Sequence, residues 1–359
     1  LAQELLVVLF GGQSPEHEVS CASAQSIVAQ ADPGRFRLEL LAITKAGDWV
    51  RPEGQGQQLS GQQLSAAGKS VNVWAELKRI RAQQGVVFPA LHGPKGEDGT
   101  VQGLFELAGV AYVGSGVKAS AVCMDKITTK QILQAAGLPV VPYVVFNPDA
   151  DPPGAAPQAT PQAAPDRLAD IAQQLGFPMF VKPANQGSSI GVSRAQDFQQ
   201  LEESVGLAAS YSQEVLLEPA ISGREIECAL LGSLRGGLKA AVPGEIIPGA
   251  EFYSYDDKYV SDQAQLLVPA PLSSNEQQTF QDLAIEAGYA IGVEGLARVD
   301  FLWDERQRPL ISEINTMPGF TTISLYPKTW EASGLGFGEL IGELYDLAKA
   351  KAVARRVAP

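Results

Sequence analysis

The chain has 359 residues, enough for two or three compact units, because single cores rarely grow beyond about 250 to 300 residues. Hydrophobic residues at 45% and charged residues at 19% are ordinary for a soluble globular protein, and no apolar run approaches the ~20 residues that span a bilayer. A net charge of −13 argues against a sequence-independent nucleic-acid binder, and Cys21, Cys123 and Cys228 are too scattered for a disulfide framework or a metal site. A reducing cytoplasm fits that cysteine usage.

Leu5 to Phe10 lacks the basic lead and cleavage site of a signal peptide and is expected to be a first buried strand. A helical pattern follows from Val19 to Gln30, then apolar runs Arg37 to Ile43 and Val86 to Leu91, then a helical pattern Val101 to Ala108. Such alternation predicts a parallel sheet with packed helices, whose ligands gather beyond the carboxyl ends of the strands. Gly11-Gly12 and His92-Gly93 fall at such ends. The Pro/Ala-rich stretch Asn147 to Pro165 has no hydrophobic period and is expected to be an extended excursion. It interrupts a unit, since strand-like Tyr143 to Phe146 precedes it and helical Leu168 to Gln174 and strand-like Met179 to Lys182 follow. Beyond Glu214 come strands Val215 to Glu218, Glu225 to Leu231, Ala297 to Trp303 and Pro309 to Glu313, with helices Gln277 to Ile291 and Phe337 to Arg356. That part is mixed α+β.

Several segments carry chemistry. Asp300 ends an apolar strand, and Glu313 and Asn315 share one face of another by strand alternation. Two carboxylates and an amide are oxygen donors suited to Mg²⁺, which is held by one or two carboxylates plus substrate phosphates. Polar strand ends facing water have the same look. Lys126 opens a helical pattern, and Lys182 ends a strand before the turn Gln186 to Gly191, whose exposed N–H groups suit a phosphate chain. The turn is no Walker loop. Glu218 and Glu225 bracket a turn where acids could meet an adenine amino group and ribose hydroxyls, or simply water. Glu251 to Tyr259 packs three tyrosines, a phenylalanine and Lys258 into nine positions, the composition of a lid or of a surface loop. Four glycines surround His92 between residues 93 and 103, allowing backbone to approach a ligand, and Glu16 stands where a helix cap is expected.

With these segments in order, the chain closely resembles the D-alanine:D-alanine ligases of the ATP-grasp superfamily. The matching runs are GGQSPEHEVS, HGPKGEDGTVQG, MDKITTK, VKPANQGSSIGV, SGREIE, FYSYDDKY, RVDF and EINTMPGFTTISL, spanning residues 11 to 325. The resemblance implies an α/β and α+β protein of three domains. They are a Rossmann-like parallel-sheet domain over 1–117, a central ATP-grasp part over 118–217 and a C-terminal catalytic part over 218–359. It implies cytoplasmic, ATP-dependent ligation of two D-alanines through an acylphosphate for peptidoglycan precursors, by a homodimer that binds neither nucleic acid nor membrane.

The resemblance also assigns roles. Glu16 receives the first D-alanine's ammonium and His92 lies near its carboxyl end. Lys126 and Lys182 hold ATP phosphates, Glu218 and Ile221 the adenine, Glu225 the ribose. Lys258 and Arg298 neutralise the transferring phosphoryl. Asp300, Glu313 and Asn315 bind two Mg²⁺, with Mn²⁺ an alternative. Ser188 and Tyr259 join Glu16 in a hydrogen-bonded group, while Gly319, Ser324 and Leu325 receive the second substrate. Tyr259 favours an amine acceptor, since relatives making D-alanyl-D-lactate often carry histidine there. Pro219-Ala220 departs from the usual adenine hinge, and Pro219 has no N–H to offer. A D-lactate or D-serine ligase is the runner-up, followed by a nucleotide-binding protein without catalysis. A dinucleotide oxidoreductase lacks its G-x-G-x-x-G turn.

Overall fold

The computed structural model describes residues 3–53, 64–148, 164–249 and 264–357. Most of the Pro/Ala-rich excursion, and the aromatic segment with Lys258 and Tyr259, lie outside the described residues.

Three sheets carry the chain. The first has strand order β4-β3-β2-β1-β5-β6, with β1 (Glu4–Gly11), β2 (Phe36–Ile43), β5 (Val86–Pro89) and β6 (Ala111–Tyr112) parallel. The short strands β3 (Trp49–Arg51) and β4 (Lys69–Ser70) extend it antiparallel. Seven of the eight residues of β1 are buried, as a central parallel strand covered on both faces requires. One face packs on α1 (His17–Gln30) and on α10 (Phe337–Val357), through Phe36, Leu340, Leu344 and Tyr345. The other packs on α2 (Val73–Ala82) and α3 (Thr100–Ala108). The carboxyl ends of β1 and β5 therefore open side by side, as the alternation predicts.

The second sheet is antiparallel, ordered β7-β10-β8-β9 from β7 (Val144–Phe146), β10 (Val215–Pro219), β8 (Met179–Pro183) and β9 (Ser193–Ala195). Met179, Val181, Val215 and Leu217 face α6 (Ala164–Leu175) and α7 (Phe198–Ala209), so alternation sends Lys182 and Glu218 to the opposite face. There Leu216 meets Ala184 and Ile127 of α5 (Lys126–Ala135), which follows α4 (Val117–Met124).

The third sheet runs β14-β13-β11-β15-β16, with β12 (Gly237–Ala240) paired to β11. Its strands β11 (Gly223–Ser233), β13 (Gly244–Ile247), β14 (Gln265–Leu267), β15 (Gly295–Asp304) and β16 (Pro309–Asn315) are antiparallel. In β15, Ala297, Val299, Phe301 and Trp303 point into a core with α4, α5 and α8 (Ser274–Ile291). Arg298 and Asp300 consequently share the other face. A capping box between Ser273 and Glu276 starts α8. The eight-residue α9 (Leu325–Ala332) follows β16.

Candidate active site

A cavity of about 930 Å³ opens among the three sheets. Ten of the expected residues line it: Glu16, His92, Lys126, Ser188, Arg298, Glu313, Asn315, Gly319, Ser324 and Leu325. They come from positions up to 309 residues apart, between Glu16 and Leu325, brought together because β1, β5, β16 and the loop after β8 all end at one place.

Glu16 is buried at the start of α1, but its side chain makes no capping bond. The capping role expected for it is not realised. Its carboxylate instead accepts from the Ser188 hydroxyl, 172 positions away. Ser188 and Ser189 both adopt left-handed backbone, at φ 49° and 58°, a conformation that non-glycine residues take when surrounding contacts hold it. Gly93 (φ 72°) must be glycine, since a Cβ there would stand 2.7 Å from the Ser14 hydroxyl and 2.9 Å from the Glu16 carboxylate.

His92 is buried, and burial lowers its pKa. Its Nδ1 lies 3.1 Å from the Met317 carbonyl, which can only accept, so Nδ1 carries the proton and Nε2 accepts from the Ser23 hydroxyl at 3.1 Å. The imidazole is thus held neutral in one tautomer.

Two acids missed in the sequence reading join this group. Glu97 accepts from the Gly93 N–H at 2.9 Å, and burial, reinforced by the Glu16 charge, pushes its carboxyl up to about 8. The only signal for it was its place in the glycine-dense run after His92. Glu227 lies on β11 directly across from Asp300 and pairs with Arg298 at 3.0 Å. It was hidden because strand register is set only in the fold.

The third sheet lines up charges. Asp300 faces Glu313 and Arg298 faces Asn315 across β15 and β16, with an irregularity after Asp300. Arg298 grips Asp300 through two bonds of 2.6 Å. Burial alone would lower the Arg298 pKa, but Asp300 and Glu227 raise it well above its ordinary value. Lys126 stands 3.9 Å from Glu313; burial lowers its pKa against the pull of that carboxylate. Two cations, Arg298 and Lys126, against three acids, Glu227, Asp300 and Glu313, leave one negative charge in excess. No cluster of three or more His, Cys, Asp and Glu side chains among the described residues forms a closed metal cage. Glu313 and Asn315 line the cavity and Asp300 stands behind them, its two oxygens held by Arg298 and the Asn315 oxygen by the Met317 N–H; as oxygen donors the three have the chemistry of a hard divalent cation site that completes its shell with phosphate and water.

The other expected nucleotide residues do not line the cavity. Lys182 and Glu218 form a separate buried cluster with Lys130, at 2.6 Å and 2.7 Å from the two Glu218 oxygens. Burial would raise the Glu218 pKa, but the two ammonium groups lower it overall. Burial would lower that of Lys182, and Glu218 raises it. Glu225 lies on β11 near enough to Lys182 to raise its pKa further, and Ile221 sits in the connection between β10 and β11. Ser324 precedes α9, and its hydroxyl accepts from the Thr321 N–H at 3.1 Å. The three cysteines are unpaired thiols, and no helix among the described residues is long and apolar enough to cross a membrane.

The chain also matches known proteins along nearly its whole length. The D-ala D-ala ligase N-terminus family profile matches residues 5–115 and the D-ala D-ala ligase C-terminus profile residues 132–346. A D-alanine--D-alanine ligase of Ruminiclostridium cellulolyticum is 41% identical, with 97% of this chain and 96% of that protein covered. One of Mycobacterium ulcerans is 42% identical over 98% of this chain and 97% of its own length. Among solved structures, the D-alanine-D-alanine ligase of Coxiella burnetii superimposes with a TM-score of 0.79 at 32% identity, covering 99% of this chain and 97% of that one. The VanG D-Ala:D-Ser ligase of Enterococcus faecalis gives 0.79 at 28% identity, covering 97% and 100%. With both profiles matched in order and relatives above 40% identity along nearly its whole length, the chain belongs to the D-alanine:D-alanine ligase family, with that family's multi-domain ATP-grasp fold.

Proposed function

We propose that this protein joins two D-alanines into D-alanyl-D-alanine, converting ATP to ADP and phosphate, for peptidoglycan precursor synthesis. The observation that carries the reading is the Ser188 to Glu16 hydrogen bond, which ties the phosphate turn to the amine-binding acid inside the cavity that holds Arg298 and Glu313. Glu16 receives the first D-alanine's ammonium. That substrate's carboxylate oxygen attacks the γ-phosphorus, the bond to ADP breaks, and Arg298 neutralises charge on the transferring group. The neutral His92 lies at the carboxyl end, where it can polarise without adding charge. The second D-alanine, placed by Gly319, Ser324 and Leu325, attacks the acyl carbon as a free amine, and phosphate leaves.

Asp300, Glu313 and Asn315 would hold Mg²⁺, two ions in this reading or Mn²⁺ in its place, which supplies charge neutralisation at the β- and γ-phosphates. Lys126 and Lys182 serve the phosphates, Glu218 and Ile221 the adenine and Glu225 the ribose. Lys258 joins Arg298 at the phosphoryl group, and Tyr259 completes the Ser188 and Glu16 group. Division at about residues 117 and 217, a homodimeric assembly and a cytoplasmic setting complete the proposal; the thiol state supports the last.

D-serine as second substrate is the alternative reading, raised by the D-Ala:D-Ser ligase that superimposes with the same TM-score as the D-alanine enzyme at lower identity. Phosphate release from Mg·ATP is to be measured with D-alanine, L-alanine, D-alanine plus D-serine, D-alanine plus D-lactate and no amino acid, with mass analysis of products. D-alanine-dependent phosphate with the D-Ala-D-Ala dipeptide is expected. A mixed D-Ala-D-Ser product in preference would move the assignment to the serine branch, and phosphate independent of any amino acid would overturn it.

A further inference from the structure

Lys130 has no place in the reaction just described, yet it is among the most completely buried large side chains of the molecule, at 1% exposure. It lies one helical turn after Lys126 on α5, so the two share a helix face. Its ammonium stands 2.7 Å from one Glu218 oxygen, donates to the Val141 carbonyl at 3.3 Å and lies 5.6 Å from the Tyr143 ring centroid. Lys182 takes the other Glu218 oxygen at 2.6 Å, but its side chain is 17% exposed. One carboxylate thus has two counter-ions of different kinds, one locked in the interior and one at its edge.

We infer that Lys130 is a positioning residue for nucleotide binding: it holds Glu218 in place and neutralised, so that Lys182 can turn from that carboxylate to an anionic phosphate. This rests on the reading of Lys182 as a phosphate ligand. A phosphate competing for Lys182 would otherwise strip a fully buried carboxylate of its only counter-ion, and an uncompensated buried charge is strongly unfavourable. Lys130 removes that cost, being fixed by the Val141 carbonyl and screened from the cavity. The group as a whole, two ammonium ions and one carboxylate, keeps a net positive charge beside the phosphate turn. Lys126, Glu225 and Glu313 are the next charged groups around it.

The test compares the wild-type chain, Lys130→Met, Lys130→Arg and the double variant Lys130→Met/Glu218→Gln by calorimetric titration with Mg·ADP and by initial rates at varied ATP. Lys130→Met is expected to raise Kd for ADP and KM for ATP by roughly 10- to 100-fold while kcat at saturating ATP changes little. The double variant recovers part of the lost affinity, because a neutral amide needs no counter-ion while its carbonyl can still accept from the adenine amino group assigned to Glu218; a packing role alone would give no such rescue. Lys130→Arg, which keeps the charge, loses less than Lys130→Met. Unchanged nucleotide affinity in Lys130→Met, or a double variant as weak as the single, overturns the inference. Should Lys130→Met not fold, the double variant decides: weak binding there overturns it. Wild-type protein that binds no nucleotide would overturn the functional reading as well, so the two failures are distinguishable.

Discussion

The cavity and the buried lysine cluster solve opposite problems with the same residue types. Around Arg298 the acids outnumber the cations by one, in a space open to solvent, which favours a divalent cation. Around Glu218 the lysines outnumber the acid by one, with Glu218 and Lys130 sealed inside and Lys182 at the edge, which favours phosphate. A nucleotide that carries its own metal is complementary to both. On the proposed reading, charge in the first region serves reaction and in the second holding, so substitutions should separate into losses of turnover and losses of stability or affinity.

The largest expected effect lies in the closed region. Glu218→Gln leaves Lys130 and Lys182 facing each other without their carboxylate, and breaking a buried pair in this way costs about 3–5 kcal/mol. Denaturant unfolding would show a lower midpoint; an unchanged one would mean that the cluster does not stabilise the fold. In the open region, Glu313→Gln is expected to lower kcat by about 10²- to 10³-fold, the scale of losing one charge-stabilising group, with the circular dichroism spectrum intact. Wild-type turnover at saturating Mg²⁺ would remove Glu313 from the metal set. Ser188→Ala deletes a hydrogen bond to a charged group, worth about 1.5–3 kcal/mol, and should appear in kcat/KM for D-alanine rather than in stability. A stability loss without a kinetic one would place Ser188 in the structural class.

A last effect concerns pH. The Glu97 carboxyl titrates near 8 in the fold against a usual 4.5, so the folded state holds a proton that the unfolded state has released. Stability from this group therefore falls as pH rises from 4.5 to about 8. Glu97→Gln should flatten that fall, making the variant relatively more stable at pH 8 than at pH 4.5 when thermal midpoints are compared. Parallel pH curves for the two proteins would contradict the burial of Glu97 against Glu16.

What the sequence made legible follows strand and helix periods. Two-residue alternation placed Glu313 with Asn315, and apolar runs located β1, β8, β15 and β16. Contacts between distant segments were not readable in this way. The Ser188 to Glu16 bond was expected only from the resemblance, since no period links residues 172 positions apart, and the His92 tautomer is fixed by Met317, 225 positions away. Glu97 owes its proton to burial beside Glu16, and Glu227 owes its place to the β11–β15 register. Lys130 left one visible trace, its four-residue spacing from Lys126 on a helix, but Glu218 stands 88 positions further on. The roles of Lys258 and Tyr259 rest on the resemblance, since both lie outside the described residues.

The central claim is that a D-alanine carboxylate attacks ATP inside this cavity. Its most direct test is turnover with D-alanine labelled with ¹⁸O in the carboxyl group, followed by mass analysis of the released phosphate. The account predicts one ¹⁸O in each phosphate formed, carried over when the acylphosphate is opened by the second amine. Dipeptide formed alongside phosphate free of label would contradict it.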